Sequence, residues 1–283
     1  MIRKLLLLCS LLLLPLSGWA DSPETIRIGT TQSLSGHFEE FGTEQLKGLQ
    51  MWVSDVNSRG ALLGRPVELV YHDDRSRSAG AADGFTRLIE KDGVDLLVGP
   101  YSSALTLASS VVAEAHGIPM VATAASAEEI WSRGLDNVFG IDTPANNYLT
   151  GINIARNNGA RTAAILYKDT EFTTEVAAGV RRNAADGDIN LLLDESYPPP
   201  QRNFDDLAQR LKSLDPDVIV GLSYLEDSIA IVQALKKAGV KPRMLIFTVG
   251  PALREFGDAL GEDAEGITGV VQWLRSVPKP GAQ

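Results

Sequence analysis

The sequence predicts an α/β protein built as two doubly wound lobes, each a parallel sheet covered by helices. Three observations predict it. Short apolar segments rich in Val, Ile and Leu alternate with amphipathic segments along most of the chain, the pattern of covered parallel sheets. The alternation breaks once, between Thr123 and Val138, where Ala, Ser and Glu replace the strand rhythm; this break is expected to be the first lobe boundary. The chain has 283 residues, 44% hydrophobic and 22% charged. That length suggests about two domains, and that composition suits a packed globular protein.

In chain order, Ile26–Thr30 reads as a strand. Thr43–Ser58 follows with helical spacing, its Leu46, Leu49, Val53 and Val56 on one face. Pro66–Tyr71 is the next strand and Ala79–Lys91 the next helix. Asp95–Gly99 is almost wholly apolar, as a strand buried on both faces should be. Ser103–His116 is helical and Ile118–Thr123 a strand. After the break come a strand at Val138–Ile141, a helix at Asn146–Asn157, a strand at Thr162–Tyr167 and a helix at Thr173–Ala185. Ile189–Asp194 is a strand. Phe204, Leu207, Leu211 and Leu214 mark a helix with Asn203 as its N-cap. Asp217–Leu222 is a strand. Glu226–Ala238 is a helix with acids at its start, Lys236 and Lys237 at its end and Gly239 as its stop. Met244–Val249 is a strand, and Gly266–Trp273 an extended segment.

Residues 1–20 read as an address. Arg3 and Lys4 precede the apolar run Leu5–Leu14, and Gly18-Trp19-Ala20 supplies small residues before Asp21. This is the pattern of a cleavable secretory signal, and the run is too short to span a bilayer. The single Cys, Cys9, falls inside it, so the exported chain is expected to lack cysteine. Lys plus Arg number 26 against 36 Asp plus Glu, a net charge of −10. So acidic a chain lacks the basic footprint that nucleic acid requires. Of the three His residues, none has zincin spacing. His72-Asp73-Asp74 could hold a cation, although such a cluster is more often a solvated strand end. No G-x-S-x-G elbow, P-loop or G-x-G-x-x-G fingerprint is present. No catalytic residue, metal ligand or cofactor site is therefore named.

In doubly wound folds ligands bind at the carboxyl ends of strands, beside helix N-termini. Four such loops carry small polar or aromatic residues: Gln32–Gly36 running on to Phe41-Gly42, Pro100–Ala104, Thr123–Glu129, and the pair Asp169–Phe172 with Ser223-Tyr224. In the third, Ser126 and Glu129 match the S-x-x-E capping box. Free backbone N–H groups at a helix start favour a carboxylate, and hydroxyls from Ser103 or Ser126 can add a bond. Phe41, Phe172 and Tyr224 can supply apolar walls. Any one loop alone is as well explained by ordinary capping and core aromatics; four at corresponding strand ends argue for a ligand cleft.

The string Ile28-Gly29, Leu34-Ser35-Gly36, Phe41-Gly42, Gly48, Asn57, Gly60 and Gly64 resembles the start of extracytoplasmic solute-binding proteins of the leucine/isoleucine/valine-binding type. Those proteins serve ABC importers for branched-chain amino acids and related amides. Asp73-Asp74, Val98-Gly99-Pro100, Ser102-Ser103, Ile118-Pro119, Ala124-Ala125-Ser126, Phe172, Asn203-Phe204, Asp217 and Ala238-Gly239 extend the resemblance from about Thr25 to Val271. It implies a type I periplasmic-binding fold: a first lobe over 21–141, a second over 142–275, a hinge, and a crossover back toward lobe one at 276–283. It implies a ligand site of Phe41, Ser103, Ala124, Ala125, Ser126, Phe172 and Tyr224, with Ser103 and the 124–126 loop on the ligand carboxylate. It also implies a periplasmic monomer without cofactor, whose partners are a small amino acid or carboxylate and a membrane permease.

Three departures accompany it. Amino-acid binders of this type place an acid on the ligand ammonium near Thr248–Gly250, where this chain has none. An unpaired buried ammonium is costly, so Glu226 or Asp227 would have to substitute, or the ligand would lack an amino group. Two cysteines paired in some members match Ser76 and Ser102. Family members also run on past the equivalent of Gln283, so lobe one is expected to be completed beyond it, the chain being C-terminally truncated. The alternatives are a sensor of the same fold that signals to a membrane receptor, and an exported α/β enzyme.

Overall fold

The computed structural model describes residues 24–148 and 150–271. The expected signal at 1–20 and crossover at 276–283 lie outside the described residues. Among those described, no helix is long and apolar enough to cross a membrane.

The first sheet is built from β1 (Ile26–Gln32), α1 (Glu39–Ser58), β2 (Val67–Asp73), α2 (Ser78–Glu90), β3 (Leu96–Val98), α3 (Ser103–His116), β4 (Met120–Ala122), α4 (Glu128–Ser132) and β5 (Val138–Gly140). Its strand order is β2-β1-β3-β4-β5 and every pairing is parallel. The second sheet follows from α5 (Thr150–Asn157), β6 (Thr162–Lys168), α6 (Glu171–Asp186), β7 (Asn190–Tyr197), α7 (Asp205–Leu214), β8 (Val218–Leu222), α8 (Leu225–Ala238), β9 (Met244–Phe247) and α9 (Arg254–Leu260). Its order is β7-β6-β8-β9, again all parallel. The architecture is thus two parallel α/β lobes, as the alternation of apolar and amphipathic segments implies.

The central strand β8 is buried at every position, with Gly221 at its heart. A Cβ on Gly221 would stand 2.3 Å from the Phe247 ring, so this glycine lets β9 pack against its neighbour. Phe85 and Leu88 of α2 and Val176 and Ala177 of α6 close the helical layers with fully buried side chains.

The differences from the sequence expectations have local causes. The break at 123–138 is not a lobe boundary. It holds α4, and the strand after it, β5, pairs with β4 in the first sheet. α1 begins at Glu39 rather than Thr43, because Glu39 and Glu40 suit the positive end of the helix. Gly42 then packs its first turn directly on the preceding loop: a Cβ there would lie 2.2 Å from the Ser33 carbonyl oxygen. The helix expected at 146–157 is broken into a 3₁₀ turn at Ala145–Asn147 and α5. The Ala145 amide is held by the Ser126 carbonyl at 2.7 Å, which ties that turn to lobe one. Asn203 caps α7 by accepting from the Asp205 amide at 2.8 Å, although Phe204 holds the formal N-cap position. The segment expected at 266–273 bridges β9 only at Thr268, and its last residues, including Trp273, lie outside the described residues.

Candidate functional site

A cavity of about 280 Å³ lies between the lobes. Its walls come from segments that follow β1, β3, β4, β5, β6, β8 and β9, all at the carboxyl ends of parallel strands. Phe41, Ser103, Ala124, Ser126, Phe172 and Tyr224 all line it. Of the sequence-predicted residues, Ala125 alone does not. Its side chain is 1% exposed and packs into the lobe-one core with Phe85, Leu97 and Ile130.

The aromatic side chains form a belt across the lobes. Phe41 stacks on Tyr101 with ring centroids 4.5 Å apart. Tyr224, from the start of α8, meets Phe38 edge-on at 5.1 Å and Phe41 at 6.5 Å. Phe172 touches Tyr224 on one side and Tyr148 on the other. Burial pushes the Tyr101 and Tyr224 hydroxyls well above their ordinary titration range, so both rings present neutral surfaces. Val249, Leu253 and Val270 complete an apolar floor from lobe two.

The polar end belongs to lobe one. Ser102 is the N-cap of α3. Its hydroxyl is buried, lines the cavity and has no hydrogen-bond partner among the described residues. It stands beside the first amides of a 14-residue helix, which have no intrahelical acceptors. The Ser103 hydroxyl accepts from the Ser126 and Ala127 amides, both at 3.1 Å. It fixes the 124–127 loop and keeps its own proton to donate. The expected capping box does not form. Ser126 Oγ instead donates to Asp142 Oδ2 at 2.7 Å, and α4 starts from Ala127 without a side-chain cap of its own.

Asp142 is the residue that sequence reasoning missed. It follows β5 and is the only charged side chain among the described residues lining the cavity. Burial pushes its carboxyl up, while hydrogen bonds from Ser126, the Thr143 amide and Tyr148 pull it back. The signal was present in Ile141-Asp142-Thr143, an acid at a strand's carboxyl end. The substitutes named from sequence do not reach the cavity lining: Asp227 is 1% exposed and paired with Lys168 at 2.8 Å, and Glu226 pairs with Arg202 at 2.6 Å.

The cation reading of His72-Asp73-Asp74 is not supported. His72 pairs with Asp92 at 2.7 Å, Asp73 accepts from the Leu34 and Arg75 amides, and Asp74 accepts from Ser33 and the Ser76 amide. Among the described residues no group of three or more His, Cys, Asp or Glu could hold a metal ion.

The sequence profile of the periplasmic binding protein family matches residues 25–283; the chain belongs to this family. A Leu/Ile/Val-binding protein homolog of Brucella melitensis is 30% identical over 261 residues, covering 88% of this chain and 65% of its own length. The chain therefore spans just under two thirds of that relative. Among solved structures, a leucine-binding protein from Thermotoga maritima superposes with a TM-score of 0.81 at 20% identity, over 90% of this chain and 72% of the other. A solute-binding protein of an ABC transporter from R. palustris, solved in complex with 4-hydroxybenzoate, gives a TM-score of 0.80 at 22% identity, over 92% and 71%. At these identities the two structures speak to the fold.

Proposed function

We propose that the protein is the extracytoplasmic binding component of an ABC importer and that it carries a hydrophobic amino acid. The observation that carries the reading is a cavity with one polar end, in lobe one, and an aromatic belt beside it. An unpartnered serine at a helix N-terminus suits a carboxylate, and Asp142 suits an ammonium group. The rings beside them suit an apolar or aromatic side chain. Family membership supports a location outside the cytoplasm. On this reading the lobes span 21–141 and 142–275, the signal is removed, and the monomer delivers its ligand to a membrane permease.

The 4-hydroxybenzoate bound by the R. palustris relative has no amino group, so the two ligand classes separate cleanly at Asp142. A thermal-shift panel of L-leucine, L-isoleucine, L-phenylalanine and 4-hydroxybenzoate tests the reading. At least one amino acid is expected to raise Tm by several degrees at saturation. If 4-hydroxybenzoate alone stabilises the protein, the amino-acid assignment is wrong; if nothing does, the carrier reading falls. The Ser103→Ala variant is expected to bind the responding ligand about 1–3 kcal/mol more weakly by titration calorimetry, because it removes a donor and loosens the loop beside it.

A further inference from the structure

The start of α4 presents a run of four successive backbone amides, Ser126 to Glu129. Two of them, Ser126 and Ala127, are accepted by the Ser103 hydroxyl from within lobe one. The next two, Glu128 and Glu129, are accepted by the two carboxylate oxygens of Glu175, the second at 3.1 Å. Glu175 lies on α6, in the opposite lobe. Ala127 offers these amides no side-chain cap, so the acceptor that satisfies this end of α4 arrives across the cleft.

We propose that Glu175 is a closure latch: a positioning residue that sets ligand affinity without touching ligand, by holding the ligand loop of lobe one from lobe two. The inference rests on reading the cavity as the ligand site. Glu175 is absent from the cavity wall, but Phe172, three residues earlier on the same helix, is part of it. One end of α6 thus brings a ring to the cavity and a carboxylate to the loop that carries Ala124 and Ser126. Of these four amides, separating the lobes frees only the two that Glu175 accepts. Ser103 keeps its two amides, while Glu128 and Glu129 turn theirs to water. The latch therefore exists only in the closed arrangement. Whatever it contributes shifts the closed population, and apparent affinity scales with that population.

The test reads lobe separation first. Cys9 is the only cysteine in the chain. With Cys9→Ser in the background, spin labels at Ser58→Cys on α1 and Ser213→Cys on α7 report the distance between lobes by double electron–electron resonance. Without ligand, Glu175→Ala is expected to move the distribution toward longer distances. Glu175→Gln, which keeps one acceptor oxygen, is expected to fall between it and the wild type. For whichever panel amino acid binds, Glu175→Ala should weaken affinity about tenfold, the scale of a lost charge-assisted hydrogen bond, through faster dissociation. An unchanged distance distribution overturns the latch, as does an affinity loss that merely tracks a lower urea midpoint. If no amino acid binds at all, the amino-acid assignment fails while the distance measurement still decides the latch.

Discussion

Asp142→Ala is expected to weaken amino-acid binding by about 2–5 kcal/mol, the range for removing one partner of a desolvated charge pair. The size follows from the setting: Asp142 is the lone charge among the described cavity residues, and it is already oriented by Ser126 and Thr143. The control is a ligand of the same shape without the amino group, 4-methylpentanoate for L-leucine. Its affinity should hold or improve, since the variant no longer buries an unpaired carboxylate. Equal losses for both ligands on calorimetry would mean that Asp142 only supports the loop. A pH dependence follows with a definite sign. Burial raises the folded carboxyl above its unfolded value of roughly 3.9. The ligand-free fold therefore binds that proton more tightly than the unfolded chain does. Asp142's contribution to stability is most favourable in acid and is lost as pH rises through the raised folded value. An ammonium ligand selects the ionised form, so its affinity should fall as pH drops through that same value, with a proton released on binding in the window. The Asp142→Ala variant should show neither effect.

Lys168→Met is expected to cost about 3–5 kcal/mol of folding stability, because it strands a buried carboxylate. Lys168 Nζ sits 2.8 Å from Asp227 Oδ2, with side chains 10% and 1% exposed. Arg202 also reaches Asp227, at 3.3 Å, but from a side chain that is 55% exposed, and it offers only partial relief. The double variant Lys168→Met/Asp227→Leu should recover most of the loss, because it removes both buried charges. Urea melts of the single and double variants give the comparison; equal midpoints for wild type and Lys168→Met would show that Arg202 alone suffices. The single variant should also disturb the cavity wall, since Lys168 lies over the Tyr224 ring at 5.5 Å.

The sequence made the alternation of strands and helices legible because each element carries its own period. The α3 span from Ser103 to His116 and the stop of α8 at Gly239, which is left-handed in the structure, were readable from neighbouring residues alone. Phe41, Ser103, Phe172 and Tyr224 were readable because strand-end loops in this architecture converge. What escaped depends on partners far along the chain. Ser126 looked like the cap of its own helix, yet Asp142, sixteen residues on, takes its hydroxyl. The amides it was expected to cap are satisfied by Ser103 and Glu175. The apolar floor of Val249 and Leu253 occupies the region where the family resemblance placed an acid. Local spacing carried no hint that the acid lining the cavity would be Asp142.

Tyr224 of one lobe meets Phe38 of the other directly, with ring centroids 5.1 Å apart. Phe38 is not among the cavity-lining residues, so on the proposed reading that contact multiplies all dissociation constants by one factor and cancels from any ratio of two. On that reading tightness and discrimination are separable: trimming the Phe38 ring would rescale every affinity together, whereas redrawing preference among ligands would require altering the groups that line the cavity.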